Sequence, residues 1–141
     1  MEREELLREM LHQVPRTIKK LMSGFRIPEG MSRQTFMLLQ CIRRHEGRSM
    51  RFYSDHLILP KSNMTAAASR LISEGHVRRV ADPADRRVIY LSLTESGREY
   101  IDNGMKVFFE DYKKKFSRLE DEDIERLKFC FDEINRITRK L

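Results

Sequence analysis

Apolar positions recur at steps of three and four over most of the chain and give way to short β-branched runs in one stretch near its middle. Leu6, Leu7, Met10, Leu11, Val14, Ile18, Leu21, Met22 and Phe25 form the first stripe, which predicts an amphipathic helix. Pro15 falls inside it. Because the stripe stays in phase on both sides, either a kinked helix or two collinear pieces is expected. Pro28-Glu29-Gly30 breaks the chain, and Ser32 can cap a second helix to about His45, with Phe36, Leu38, Leu39 and Ile42 facing a core. Gly47 ends that helix. A short extended piece is expected over 49–52, then a brief helix capped by Ser54 or Asp55 and running to about Leu59. Pro60 suits the first turn of the next helix, expected over 60–74, and Gly75 is a good left-handed stop.

The β-branched runs 77–81 and 88–93 can pair as a hairpin. Between them Asp82-Pro83-Ala84-Asp85-Arg86-Arg87 is turn chemistry with a cationic end. Two arginines at a solvent-exposed tip add little stability, but they suit entry into a narrow groove of negative potential. Thr94-Glu95-Ser96-Gly97 then opens a long helix carrying Ile101, Met105, Phe108, Phe109, Tyr112 and Phe116. After a break near 117–119, the acidic run 120–123 favours a helix N-terminus, and Ile124, Leu127, Phe131, Ile134 and Leu141 mark the last helix. There are no internal repeats.

The predicted fold is mainly α with a small β-wing: a winged helix-turn-helix over 31–100, an N-terminal dimerisation helix over 1–30 and C-terminal dimerisation helices over 101–141. The terminal helices hold more apolar surface than so small a core can bury, so a twofold dimer is expected to cover them. The alternative is a two-helix flap folded back within one chain.

With 141 residues the chain suits one compact domain. Its net charge of +6 is uneven. Residues 31–100 carry twelve Lys/Arg against seven Asp/Glu, while 101–141 balance at ten each. The excess coincides with the helix-turn-helix, as expected for a segment that meets a polyanion. No apolar run approaches the roughly 20 residues that span a bilayer, so no membrane partner is expected and the cytoplasm is the default location. Cys41 and Cys130 form no metal or redox motif, the four histidines have no ligand spacing, and no catalytic motif is present. Neither an enzyme, a cofactor nor a metal is expected.

Leu59, Ser62-Asn63-Met64-Thr65, Arg70-Leu71, Gly75-His76-Val77-Arg78-Arg79, the DPADRR tip and Leu91-Ser92-Leu93-Thr94-Glu95-Ser96-Gly97 together resemble the MarR (multiple-antibiotic-resistance regulator) family of winged-helix transcription regulators. The resemblance is dense over about 31–101. It implies a homodimer on a pseudo-palindromic operator in double-stranded DNA, usually a repressor, released by a small phenolic or otherwise amphipathic effector. A redox- or metal-responsive regulator on the same scaffold, or a winged-helix protein-interaction module without DNA binding, are the competing readings.

Lys61, Ser62, Asn63 and Thr65 then start the recognition helix, able to reach phosphates or base edges, unless Ser62 or Asn63 only caps it. Arg86 and Arg87 are the minor-groove candidates, and Arg87 matches the wing arginine most frequent in the family. Asp85 repels phosphate and is expected to pair with Arg87, Arg70 or Arg79. Arg70 and Arg79 are either phosphate contacts or wing supports. Ala66-Ala67-Ala68 offers no side-chain hydrogen bond, and some relatives carry an arginine at the position of Ala66.

Overall fold

The structure, a computed structural model, describes residues 1–57 and 59–141; Ile58, within the span predicted for the third helix, lies outside the described residues. The order of elements is α1 (Arg3–Met22), α2 (Arg33–Arg44), β1 (Arg48–Ser49), α3 (Met50–Leu57), α4 (Lys61–Ser73), β2 (Val77–Ala81), β3 (Ile89–Leu93), α5 (Glu95–Phe116) and α6 (Asp121–Thr138). This is the winged helix-turn-helix arrangement that the apolar pattern predicts. The chain forms two units, one of residues 26–108 and one of 1–25 with 109–141.

In the 26–108 unit, Ser32 caps α2 as expected, its Oγ accepting the Thr35 amide at 3.1 Å. The inward face of α2 is fully buried at Leu38, Leu39 and Ile42, against Met64 and Leu71 of α4, Tyr53 of α3, Leu91 of β3 and Ile101 of α5. Tyr53 is buried with its hydroxyl satisfied: it donates to the His45 carbonyl at 2.5 Å and accepts the Arg48 amide at 3.1 Å. That phenol joins the end of α2 to β1. Ion pairs Arg43–Asp102 (2.9 Å) and Arg98–Glu46 (2.8 Å) run from α5 to α2 and to the second residue past its end.

The three strands form an antiparallel sheet in the order β1-β3-β2, with Val77 opposite Leu93, Val80 opposite Tyr90, and Ser49 also opposite Tyr90. Strand pairing at β1 stops after two residues. The expected extended run over 49–52 is instead helical from Met50, because Ser49 Oγ accepts the Phe52 amide at 3.1 Å and starts the turn. Neither Ser54 nor Asp55 is the cap; both lie inside α3.

Helix α4 closes with the crossed bonds of a Schellman motif, His76 N–H to Leu71 O at 2.9 Å and Gly75 N–H to Ile72 O at 3.0 Å. Gly75 supplies the positive φ, +79°, that this motif requires. The Thr94-x-x-Gly97 pair proves to be structural. Thr94 Oγ1 donates to the Gly75 carbonyl at 2.6 Å and accepts the Gly97 amide at 3.0 Å, capping α5 and holding it to the end of α4. A β-carbon at position 97 would lie 1.9 Å from the His76 carbonyl oxygen, so only glycine fits that approach.

In the second unit, α1 is one continuous 20-residue helix with Pro15 inside it, not two pieces. Phe25 lies past its end, packed on Tyr112 at a ring separation of 5.5 Å, while Lys115 Nζ donates to the Ser23 carbonyl at 2.6 Å and sits over the Phe25 ring. Helix α6 starts at the acidic run and ends at Thr138, leaving Leu141 beyond it. Neither α1 nor α6 has a buried residue. Among the described residues, no helix is long and apolar enough to cross a membrane.

Candidate nucleic-acid interface

The residues singled out above lie in the 26–108 unit, most of them at the start of α4 and at the tip between β2 and β3, with Arg70 in the last turn of α4 and Arg79 in β2. Pro60 precedes α4 and no side chain caps it, so neither Ser62 nor Asn63 is consumed as a cap. Lys61, Ser62 and Thr65 are exposed and Asn63 is half-buried. The Thr65 hydroxyl donates to the Lys61 carbonyl at 2.9 Å. Its proton is therefore engaged within the helix, and Thr65 presents a methyl group and an accepting lone pair outward.

At the tip, the Arg87 guanidinium spans both carboxylate oxygens of Asp85, Nε to Oδ1 and Nη2 to Oδ2, each at 3.1 Å. The Arg87 amide adds a bond to Asp85 Oδ1 at 3.0 Å. The guanidinium and the amide together hold the Asp85 carboxyl below its ordinary range. Of the three partners open to Asp85 in the sequence, Arg87 is the one it takes. Arg86 is exposed and makes no ion pair with a described residue. The two adjacent arginines thus differ: one is tethered and charge-compensated, the other bare.

Arg70 does not support the wing. It lies in the last turn of α4, bonded to Glu74 at 2.9 Å and to the Gly30 carbonyl, where a cation also meets the helix C-terminal dipole favourably. Arg79 points out of β2 and Arg78 is likewise exposed.

Between α3, α4 and the wing runs a groove of about 800 Å³. It gathers Arg51, Lys61, Thr65, Ser69, Arg79 and Arg87, with Asp55 as its acidic member, 3.9 Å from Arg51. Of the residues expected from sequence, the groove brings together Lys61, Thr65, Arg79 and Arg87. It does not include Ser62, Asn63, Arg70, Asp85 or Arg86. Ser69 was missed by the sequence reading although a signal existed: Lys61, Thr65 and Ser69 follow one another at four-residue steps and so share a helix face. Four cations converging on a concave surface make a region of positive potential suited to a polyanion.

Cys41 is buried in α2, where desolvation raises its thiol pKa and favours the inert form; Cys130 is exposed on α6.

Residues 29–88 match the family model described as MarR family. The chain is 22% identical over 133 residues, 94% of its own length and 91% of the relative's, to the uncharacterized HTH-type transcriptional regulator YpoP of Bacillus subtilis (strain 168). Among solved structures it resembles a mutant MarR from E. coli complexed with operator DNA, at 20% identity and a TM-score of 0.69 over 91% of this chain and 92% of that one. It also resembles the PcaV transcriptional regulator from Streptomyces coelicolor in complex with its natural ligand, at 21% identity and a TM-score of 0.66 over 94% and 89%. At such identities the solved structures speak for the fold, and the matched segment runs from before α2 through α4 and β2 to the tip. Residues 29–88 thus match the MarR family model, and the chain has the winged helix-turn-helix fold of these solved regulators.

Proposed function

We propose that the protein is a cytoplasmic homodimer that binds double-stranded DNA sequence-specifically at a pseudo-palindromic operator, represses transcription there, and is released by a small amphipathic or phenolic effector. The observation that carries this reading is the groove between α4 and the wing, where Arg51, Lys61, Arg79 and Arg87 converge. In this reading Lys61 meets phosphate, while the Thr65 methyl and Ser69 face base edges in the major groove, where thymine offers a methyl partner. Ser62 and Asn63, uncommitted to capping, flank them. Arg86 and Arg87 enter the adjacent minor groove, with Arg70 and Arg78 left to phosphate contact or to structure.

Dimerisation is supported by the apolar faces of α1 and α6, where Leu11 is 72% and Ile137 53% exposed. A second copy would cover such faces and set two reading helices on half-sites one turn apart, roughly 34–36 Å. Effector release is supported by the ligand-bound PcaV likeness. It requires a ligand that prefers a dimer whose helices are misplaced for successive grooves.

The test is duplex binding by wild type and by Arg87→Ala across a salt titration. Wild-type affinity should fall steeply with salt as counterions are retained on phosphate. Arg87→Ala should cost about 1–3 kcal/mol, the scale of a good groove contact, with the fold intact. Unchanged affinity in a folded Arg87→Ala protein overturns the wing contact.

A further inference from the structure

The DPADRR tip contains a carboxylate that neither the ion pair at Arg87 nor the groove uses. Asp82, the first residue after β2, accepts three hydrogen bonds. Its Oδ1 takes the amides of Ala84 at 2.8 Å and Asp85 at 3.1 Å, and its Oδ2 takes the phenol of Tyr90 at 2.7 Å. Tyr90 is no loop residue. It belongs to β3, the central strand, and is paired on one side with Val80 of β2 and on the other with Ser49 of β1. Closing the same tip, the Asp82 amide bonds the Val88 carbonyl at 2.9 Å and the Val88 amide bonds Asp85 at 3.0 Å.

These contacts run in series. The sheet holds Tyr90, Tyr90 holds the Asp82 carboxylate, and Asp82 holds the backbone of Ala84 and Asp85. Asp85 in turn holds the Arg87 side chain. From this chain of contacts we propose that Asp82 and Tyr90 are positioning residues: they orient the wing tip on the sheet so that Arg86 and Arg87 are presented to DNA in one direction. The phenol and the two amides keep the Asp82 carboxyl below its ordinary range, and the carboxylate raises the Tyr90 phenol, so the bond persists across the physiological pH range. A charge-assisted bond of this kind is about twice as strong as a neutral one, which suits a tip with little apolar surface to fix it. This inference rests on the reading of the wing as a DNA contact.

The experiment measures binding to a 30-base-pair duplex with a central A-tract, whose narrow minor groove attracts arginine. It uses wild type, Tyr90→Phe, Asp82→Ala, Asp82→Asn, the Arg86→Ala/Arg87→Ala double variant, and Tyr90→Phe combined with that double variant. Tyr90→Phe should weaken binding about three- to tenfold, the scale of one lost hydrogen bond, and should add less than about twofold once both arginines are gone. Asp82→Asn, which keeps an oxygen for the two amides, should retain more affinity than Asp82→Ala. In free protein, amide order parameters over 84–87 should fall in Tyr90→Phe, a readout that needs no DNA. Affinity within twofold of wild type for Tyr90→Phe, an equal loss with and without the arginines, or an unchanged tip each overturn the positioning role while leaving the wing contact standing. If the arginine-less protein itself binds like wild type, the wing reading fails and the positioning role with it.

Discussion

The two units of this chain are built from helices with equally regular apolar stripes, yet they use them differently. In the 26–108 unit the stripe of α2 closes on α4, α3 and the sheet, and Leu38, Leu39, Ile42 and Leu71 have no exposed surface. In the unit of 1–25 and 109–141, Phe25 alone is buried among the described residues, and Leu7, Leu11, Val14 and Ile18 of α1 stay open. Leu7, Leu11, Val14, Ile18, Leu21 and Phe25 follow alternating four- and three-residue steps, and Leu6, Met10 and Met22 widen that stripe into a broad apolar face. Periodicity therefore states that a face is to be covered without stating by what. In one unit the cover is the chain itself; in the other, on the proposal above, it is a second copy.

The contrast breaks most visibly at Gly97. The packed unit brings the start of α5 against the turn after α4 so closely that a β-carbon there meets carbonyl, carbon and α-carbon of His76 at 1.9, 2.7 and 2.9 Å, all backbone. Nothing flexible can yield. Gly97→Ala should cost more than about 4 kcal/mol or abolish folding, the range reserved for forced backbone clashes and strain. A thermal melt followed by circular dichroism checks this. A transition within a few degrees of wild type would mean that the approach relaxes freely and that the unit is less tightly determined than its core implies.

A second pair of variants sets the units against each other. Leu39→Ala opens a cavity in the packed core and should cost about 2–5 kcal/mol at every protein concentration. Leu11→Ala removes a side chain that is 72% exposed and should change the fold of one chain by no more than about 0.5 kcal/mol. Its effect should appear instead as weaker self-association, read by sedimentation velocity, and as a shallower dependence of urea unfolding on protein concentration. If Leu11→Ala leaves the mass distribution unchanged, the α1 stripe is not the seam.

How far the sequence made this legible depended on whether one residue carried one signal. Ser32 before an apolar period, Gly75 after one, and the β-branched runs around DPADRR each pointed one way, and α2, α4 and the hairpin are where those signals place them. At 49–52 two signals overlapped. Ser49 both pairs with Tyr90 in the sheet and caps α3, so the strand ends where the helix begins and the extended run was overestimated. At Pro15, a missing amide weighed less than the stripe on either side, and α1 stays one helix. In the groove, Lys61, Thr65, Arg79 and Arg87 lie together, a cationic grouping that residue type and position suggest. Arg70 pairs with Glu74 and the Gly30 carbonyl instead of Asp85, and Gly30, 40 positions away, is a partner that no local pattern announces. The Asp82–Tyr90 bond escaped for a similar reason: it depends on strand register across the hairpin, not on turn composition.

The smallest expected effect sharpens the comparison at the margin of the packed unit. His45, at the end of α2, lies 5.0 Å from the ring of His56 and 5.5 Å from that of Phe52. Partial burial lowers its pKa from 6.5, and the charges of His56, Arg44 and Arg48 lower it further. The sign follows from proton uptake. As pH falls through 6.5 the unfolded chain protonates this imidazole before the folded one does, so stability falls with pH in that window. The loss levels off below the folded pKa, where both states carry the proton. In a nuclear magnetic resonance titration the His45 midpoint should lie below the ordinary value. In His56→Gln it should rise only part of the way back, since burial, the larger cause, remains. A midpoint at or above 6.5 in wild type would mean that water reaches His45 freely, and that the end of α2 belongs with the open faces of α1 and α6 rather than with the core.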